Sequence, residues 1–304
     1  RVMTDSSVPS VVRRQRKLPQ IKKLAMLAAL RGQMWALSRS APDRAAVRLA
    51  HLFTTPPRPK VRAWERAAMA QARYTRRRFG ALGFLSVYRW VPEGAGPHPK
   101  VLLLHGFGGR VSQLSGLAEP LVAAGYEVVG FDAPGHGKSP VRNAGLPDFV
   151  DALEMFAAQE GAFDAVIGHS MGGAAVATAL RLGMAAKRAI LIAPPVYPGT
   201  YLAQAGRMLG ATDKVTGRAQ ALIEARYGRA FDEFRTPLNA SVLDQRALIL
   251  HDRDDKQVPL AEGHQVAAAW KGAQFEVTEG LGHTRILRDP STMALAQTFL
   301  MQTA

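Results

Sequence analysis

The stretch that decides the fold is Ala165–Ala175, which reads AVIGHSMGGAA. It opens with apolar residues typical of a buried strand and closes with small residues that favour a helix. Gly168 and Gly172 stand two residues before and two residues after Ser170. A tight turn between a strand and a helix tolerates only small residues at these positions, and it lifts the central serine to the carboxyl end of the sheet. The stretch therefore predicts Ser170 as a nucleophile on a strand-turn-helix.

On both sides of this stretch, short apolar runs alternate with helical patterns. The sequence predicts strands at 84–91, 101–104, 126–131, 165–168, 189–192, 247–250 and 274–277, and helices at about 113–124, 147–160, 172–183, 260–271 and 291–301. Such alternation specifies an α/β fold with a mostly parallel central sheet flanked by helices. Runs that are apolar throughout, such as Val101–Leu104, are typical of strands buried on both faces.

One interval, about 195–244, is too long for a simple crossover between strands. Its helical stretches at about 200–209 and 216–228 indicate an insertion over the strand ends. The insertion offers apolar side chains that either shape a pocket or pack the insertion onto the core, and the sequence does not decide between the two. They are Leu202, Met208, Leu209, Leu222, Ile223, Tyr227 and Phe231.

The charge divides the chain at about residue 80. Residues 1–80 hold 19 Lys/Arg against three acids, whereas the net charge of all 304 residues is +15. The sequence predicts two helical stretches there, 18–52 and 61–74, with a Pro-rich break at Thr55–Pro59. We expect a basic helical extension (1–80) before the core (81–304). Its runs Arg13–Lys17 and Arg76–Arg78 fit a solvated helical face, or contact with an anionic surface.

Composition excludes several classes of protein. The chain has no cysteine, so disulfides, thiolate metal sites and a cysteine nucleophile are ruled out. No apolar run approaches the ~20 residues of a membrane-crossing helix. The run Leu24–Leu30 is bracketed by Lys22-Lys23 and Arg31, which favours a surface helix over a secretory signal. We expect a cytoplasmic protein without a metal or other cofactor.

A serine hydroxyl needs a base to remove its proton, and imidazole is suited to this near neutral pH. His283 follows the last predicted strand in the Gly-containing loop Gly280–Thr284, so it can reach the carboxyl edge of the sheet. An acid must orient that histidine. The strand at 247–250 runs into a cluster with three candidates, Asp252, Asp254 and Asp255, and these residues alone do not decide among them.

Five motifs in order make the chain resemble the α/β-hydrolase family over about residues 84–304. They are His105–Gly109, Asp132–Ser139, the Ser170 turn, Asp255 with Val258-Pro259, and Gly282-His283. In that family the acid stands three residues before the Val-Pro pair. The resemblance thus implies a triad of Ser170, Asp255 and His283, with an oxyanion hole of the main-chain N–H groups of Phe107 and Met171. It also implies that the interval at 195–244 is a helical cap.

These features predict a serine hydrolase of the esterase type, which cleaves a carboxylic ester or thioester through an acyl-enzyme. We expect its partner to be a small, hydrophobic acyl substrate. Acyl transfer, amide hydrolysis and perhydrolysis share the machinery, so fold and triad do not separate them. The other class is a binding protein that acts through residues 1–80, on nucleic acid, an anionic membrane or a protein. The charge comes without the aromatic pattern of nucleic-acid binding, so nucleic acid is not expected.

Overall fold

The computed structural model describes residues 17–80, 83–94, 96–140 and 143–302, with helical side chains described from residue 24 onward. The chain divides into two compact units. The first comprises residues 1–50 and 200–223, and the second comprises residues 51–199 and 224–304. The first unit thus combines the beginning of the predicted extension with the middle of the predicted cap, a grouping that the sequence did not suggest.

The second unit contains an eight-stranded sheet in the order β1-β2-β4-β3-β5-β6-β7-β8. The strands are β1 Arg73–Arg78, β2 Phe84–Trp90, β3 Lys100–Leu104, β4 Glu127–Asp132, β5 Phe163–His169, β6 Ala186–Ile192, β7 Arg246–Asp252 and β8 Gln274–Thr278. β1 and β2 pair antiparallel, and every pair from β4 across to β8 is parallel. The predicted α/β fold with a mostly parallel sheet is confirmed, and all seven predicted strands are present.

Helices and short 3-10 turns connect the strands. The helices are α1 Lys17–Ser40, α2 Pro42–Phe53, α3 Ala63–Ala70, α4 Ser115–Ala123, α5 Leu146–Glu160, α6 Met171–Arg181, α7 Pro198–Leu209, α8 Asp213–Tyr227, α9 Thr236–Ala240, α10 Leu260–Ala269, α11 Gly282–Arg285 and α12 Pro290–Met301. The 3-10 turns are Val111–Leu114, Phe231–Phe234 and Ile286–Arg288. All five helices predicted between or after the strands occur.

The core lies on both faces of the sheet, which is why central strands such as β3 are almost entirely apolar. Successive residues of a strand point to opposite faces. In β5, Val166 therefore belongs to one buried cluster, while Ala165 and Ile167 belong to the other. Because β3, β5, β6, β7 and β8 run parallel to one another, the loops that follow β3, β5, β7 and β8 all leave the sheet at one edge.

The region before residue 80 differs from its prediction. The helical stretch at 18–52 is broken at Ala41, where Pro42 starts α2 at a position that needs no N–H donor. The second stretch ends at Ala70, and Arg76–Arg78 lies in β1. The prediction that Arg76–Arg78 lies on a helical face is wrong, because β1 pairs with β2 along its whole length. The rings of Tyr74 and Tyr88 pack across this pair with their centroids 5.2 Å apart. The run Arg13–Lys17 lies largely outside the described residues.

Candidate active site

Ser170 occupies a strained turn between β5 and α6. Its backbone has φ 52° and ψ −125°, and Ser170 and Ala193 are the two described non-glycine residues with positive φ. The main-chain N–H of Ser170 donates to the carbonyl of Ile192 at the end of β6, at 2.8 Å. A positive φ costs an L-residue of order 1–3 kcal/mol and persists only where the surroundings enforce it. The sheet edge thus holds Ser170 at the point where the chain turns into the helix.

The glycines around Ser170 are required by close backbone approach. A Cβ on Gly168 would lie 2.6 Å from the carbonyl oxygen of Gly172. A Cβ on Gly172 would lie 2.4 Å from the carbonyl oxygen of His105. A Cβ on Gly106 would lie 2.9 Å from the Cβ of Ser170 itself. The loop that follows β3 therefore lies directly against the serine.

His283 and Asp255 lie together at the same edge. The Nδ1 atom of His283 is 2.6 Å from Oδ2 of Asp255, and both side chains are buried. Burial alone would raise the pKa of Asp255, but the hydrogen bond and charge of His283 and the N–H groups of Val258 and Gln257 outweigh it and lower that pKa. A carboxylate that stays ionised keeps the proton of His283 on Nδ1 and leaves Nε2 to accept another.

Asp252 and Asp254 have different roles from Asp255. Each oxygen of the buried Asp252 carboxylate accepts two hydrogen bonds. Their donors are the N–H groups of Gly282 (2.7 Å), Leu281 (3.1 Å) and Asp254 (3.0 Å) and the hydroxyl of Thr278 (2.7 Å). The exposed Asp254 accepts one from the N–H of Gly280. Two of the three candidate acids therefore bind the loop that carries His283, and one binds its imidazole.

His169 connects the serine turn to His283. Its Nε2 donates to the carbonyl of His283 at 2.9 Å, and the two rings lie 4.5 Å apart. Burial and the nearby His283 lower the pKa of His169 to about 3, so it is neutral at neutral pH. The residue directly before Ser170 thus fixes the backbone of His283. No sequence motif predicts this link, because the two residues are 114 positions apart.

The loop after β3 and the loop after β4 are joined by buried polar groups. Nδ1 of His105 donates to the carbonyl oxygen of Gly106 at 2.8 Å, and its Nε2 accepts from the N–H of Ala133 at 3.0 Å. Asp132 accepts from the N–H groups of Val111 and Lys138. Burial lowers the pKa of His105 well below its usual range and raises that of Asp132 to about 6. These contacts hold the two loops together beside Ser170.

The two predicted oxyanion donors occupy suitable backbone positions. Met171 is the first residue of α6, and an N–H in the first turn of a helix has no intrahelical acceptor. Phe107 follows Gly106, the residue packed against Ser170, and its side chain is 38% exposed and edge-on to the ring of His136. The structure brings these two residues and Ser170 to one edge of the sheet.

The segment that follows α2 holds the loop after β3 from outside. The guanidinium of Arg110 contacts Glu65 at 2.6 Å and donates to the carbonyls of Pro59 and Lys60. Ser112 donates to the same carboxylate at 2.6 Å. Burial would raise the pKa of Glu65, but Ser112, the N–H of Arg62 and the guanidinium of Arg110 lower it overall. Sequence reasoning missed this buried network, since no motif relates residues 45 positions apart.

We expect Glu65→Gln to lower the free energy of unfolding by about 3 kcal/mol, because it leaves the charge of Arg110 buried without its counter-ion. Ester turnover should also fall, since the loop against Ser170 loses its anchor. Urea unfolding and steady-state kinetics measure the two effects. Glu119→Gln, at an exposed position, is the control. An unchanged stability of the Glu65 variant would contradict the anchoring role.

Other predicted features can be located only in part. Of the apolar residues of the predicted cap, Leu202, Ile223 and Phe231 are buried, whereas Met208 and Leu222 are exposed. In the parts of the chain that the structure describes, no group of three or more His, Asp or Glu side chains could hold a metal ion. Within the same residues, no helix has the length and apolar character needed to cross a membrane.

Comparison with known proteins agrees with this fold. Residues 95–225 match the family described as serine aminopeptidase, S33. Over 92 residues the chain is 40% identical to the dihydrolipoyllysine-residue acetyltransferase component of the acetoin cleaving system of Cupriavidus necator. That match spans 29% of this chain and 24% of the relative, so the chain spans about a quarter of the curated relative's length.

Solved structures resemble the chain over most of its length. An esterase of Pyrococcus furiosus superposes with a TM-score of 0.61 at 18% identity, covering 81% of this chain and 98% of that one. A bromoperoxidase of Bacillus anthracis has a TM-score of 0.56 at 18% identity and covers 76% and 100%. Likeness at this level of identity shows the fold alone. This likeness agrees with the family match and with the order of the five motifs, and the chain therefore has the α/β-hydrolase fold.

Proposed function

We propose that this α/β-hydrolase is a serine hydrolase that cleaves a carboxylic ester through an acyl-enzyme. The observation that carries the proposal is the 2.6 Å contact between His283 and Asp255, at the sheet edge where the strained turn presents Ser170. Strain of this kind is stored at functional sites, and an imidazole paired with a buried carboxylate is the base that a serine nucleophile requires.

In the proposed mechanism Oγ of Ser170 attacks the ester carbonyl while Nε2 of His283 takes the hydroxyl proton. Asp255 holds the imidazole by Nδ1 and stabilises its charge. The N–H groups of Phe107 and Met171 stabilise the oxyanion, each such donor contributing about 3 kcal/mol in the transition state. His283 then returns the proton to the leaving alcohol. Water hydrolyses the acyl-enzyme by the same steps and releases the acid.

The choice of an ester with an apolar acyl group has two supports. The first is that the Pyrococcus structure is named an esterase. The matched family is named for an aminopeptidase and the curated relative for an acetyltransferase, so these two names do not favour an ester. Phe107 also presents an exposed aromatic ring on the loop that lies against Ser170. An exposed apolar side chain on this loop favours an apolar substrate, since pockets bind ligands mostly through such surfaces.

A fluorophosphonate probe together with a panel of acyl esters tests this function. We expect the probe to label Ser170 and to abolish turnover of p-nitrophenyl esters. Esters of short, medium and long acyl chains, with thioesters and anilides of the same acids, define the substrate class. Labelling at another residue, or turnover of the anilides alone, would overturn the ester hydrolase proposal.

A further inference from the structure

The first compact unit concentrates the positive charge of the chain. Residues 1–50 and 200–223 contain 14 Lys/Arg against three Asp and no Glu, which is +11 of the total +15. Among its described side chains the acids are Asp43 and Asp213, and Asp43 forms an ion pair with Arg218 at 2.7 Å. A charge of this density attracts anionic partners over about a Debye length.

The same unit exposes large apolar side chains beside its arginines. Leu24, Leu27 and Trp35 of α1 are 66%, 44% and 53% exposed, and Met208 of α7 is 65% exposed. Residues three or four apart share a helix face, so Leu24, Leu27, Arg31, Trp35 and Arg39 form one stripe. Met208 adjoins that stripe, because Arg31 donates to its carbonyl at 3.1 Å. We call these six residues the Trp35 face.

The charge on the Trp35 face is next to its apolar surface. The guanidinium of Arg39 lies over the indole ring of Trp35, 4.1 Å from its centroid. Lys22 and Lys23 directly precede the exposed run that begins at Leu24. Exposed apolar patches flanked by basic residues are a feature of helices that lie in a membrane interface, where tryptophan is also enriched.

We infer that the Trp35 face docks the protein onto an anionic phospholipid surface. The headgroups neutralise Arg31 and Arg39 of this face and the Lys22-Lys23 pair that precedes it in the sequence, each charge contributing about 1 kcal/mol. The apolar side chains enter the boundary of the acyl chains. A second copy of the chain fits this face less well, because a twofold contact would bring its arginines together. Nucleic acid would satisfy the charge but would leave Leu24, Leu27 and Met208 in water.

Flotation of the full chain with vesicles tests the docking. We expect binding to vesicles of phosphatidylcholine with about a third phosphatidylglycerol, at least about tenfold weaker binding to phosphatidylcholine alone, and loss of binding as salt is added. The emission of Trp35 should also shift to the blue on binding, since it is more exposed than the buried Trp90 and Trp270. Equal binding to both vesicles, or to neither, would overturn the inference.

Two variants separate the apolar and charged contributions. Leu24→Ser/Leu27→Ser/Trp35→Ser should weaken binding at least about tenfold. Lys22→Gln/Lys23→Gln/Arg39→Gln should weaken it about 100-fold, or about fivefold for each charge. Circular dichroism verifies that both variants stay folded. These substitutions lie outside the proposed catalytic residues, so ester turnover in solution reports separately on the proposed function.

Matched controls lie in the second unit, at positions that are also exposed. Leu182→Ser/Leu238→Ser/Val242→Ser removes apolar surface, and Arg181→Gln/Lys187→Gln/Lys271→Gln removes three charges. Both controls should bind anionic vesicles as the unmodified chain does. If the charge control loses binding equally, net charge and not the Trp35 face is responsible. Retention by duplex DNA without vesicle binding, or a dimer abolished by the apolar variant without vesicle binding, would also overturn the inference.

Discussion

Ser170→Ala is expected to lower the turnover of p-nitrophenyl esters by at least about 10⁴-fold, since the variant lacks the hydroxyl that is proposed to form the acyl-enzyme. The melting temperature should barely change, because the variant removes one hydroxyl and keeps the backbone. Steady-state kinetics and thermal unfolding measure the two quantities. The fluorophosphonate probe should no longer label the protein.

Two further variants test whether this loss of turnover is specific to the hydroxyl of Ser170. Ser241→Ala removes an exposed hydroxyl after α9 and should leave turnover unchanged. Ser170→Gly should be as inactive as the alanine variant but more stable by about 1 kcal/mol, because a glycine adopts φ 52° without the steric cost of a Cβ. Substantial turnover by the alanine variant would refute Ser170 as the nucleophile. A glycine variant less stable than the alanine variant would contradict strain at this turn, because relief of the strain must outweigh the extra entropy of an unfolded glycine.

Periodicity and turn chemistry predicted most of the second unit because its signals are local. An unbroken apolar run such as Val101–Leu104 identifies a strand that is buried on both faces. The glycines around Ser170 identify the turn, because any larger residue there would clash with the neighbouring backbone. β1 was missed for the opposite reason. Its arginines carry no strand signal of their own, and they become a strand by pairing with β2.

The supporting contacts of the candidate site were beyond local signals. Glu65 with Arg110, and His169 with the carbonyl of His283, join positions that are close only after folding. The grouping of residues 1–50 with 200–223 is likewise a long-range property. The acid that pairs with His283 was predicted only in part from local signals. The residues alone left three aspartates open, and the resemblance to a family picked Asp255, the one whose carboxylate contacts His283.

The three aspartates at and just after the end of β7 should differ in their effect on kcat when each is replaced by asparagine. Asp255→Asn is expected to lower kcat by about 10⁴-fold, because an amide at this place favours the tautomer of His283 that carries its proton on Nε2. Asp252→Asn should lower kcat by about 10- to 100-fold through a displaced His283 loop. Asp254→Asn, at an exposed position with one hydrogen bond, should change it less than about twofold. Steady-state kinetics on one ester compares all three.

Stability distinguishes the positioning role of Asp252 from a catalytic one. Burial would raise its pKa, but four donors outweigh this and lower it. A carboxyl whose pKa is lower in the folded state stabilises the protein above the ordinary aspartate pKa, and that contribution is lost as the pH falls through the folded value. The stability gap between the unmodified chain and Asp252→Asn should therefore narrow below about pH 4. The positioning role requires an ionised Asp252 that acts only through the loop carrying His283. A stability gap that does not depend on pH, or a loss of kcat equal to that of Asp255→Asn, would contradict this role.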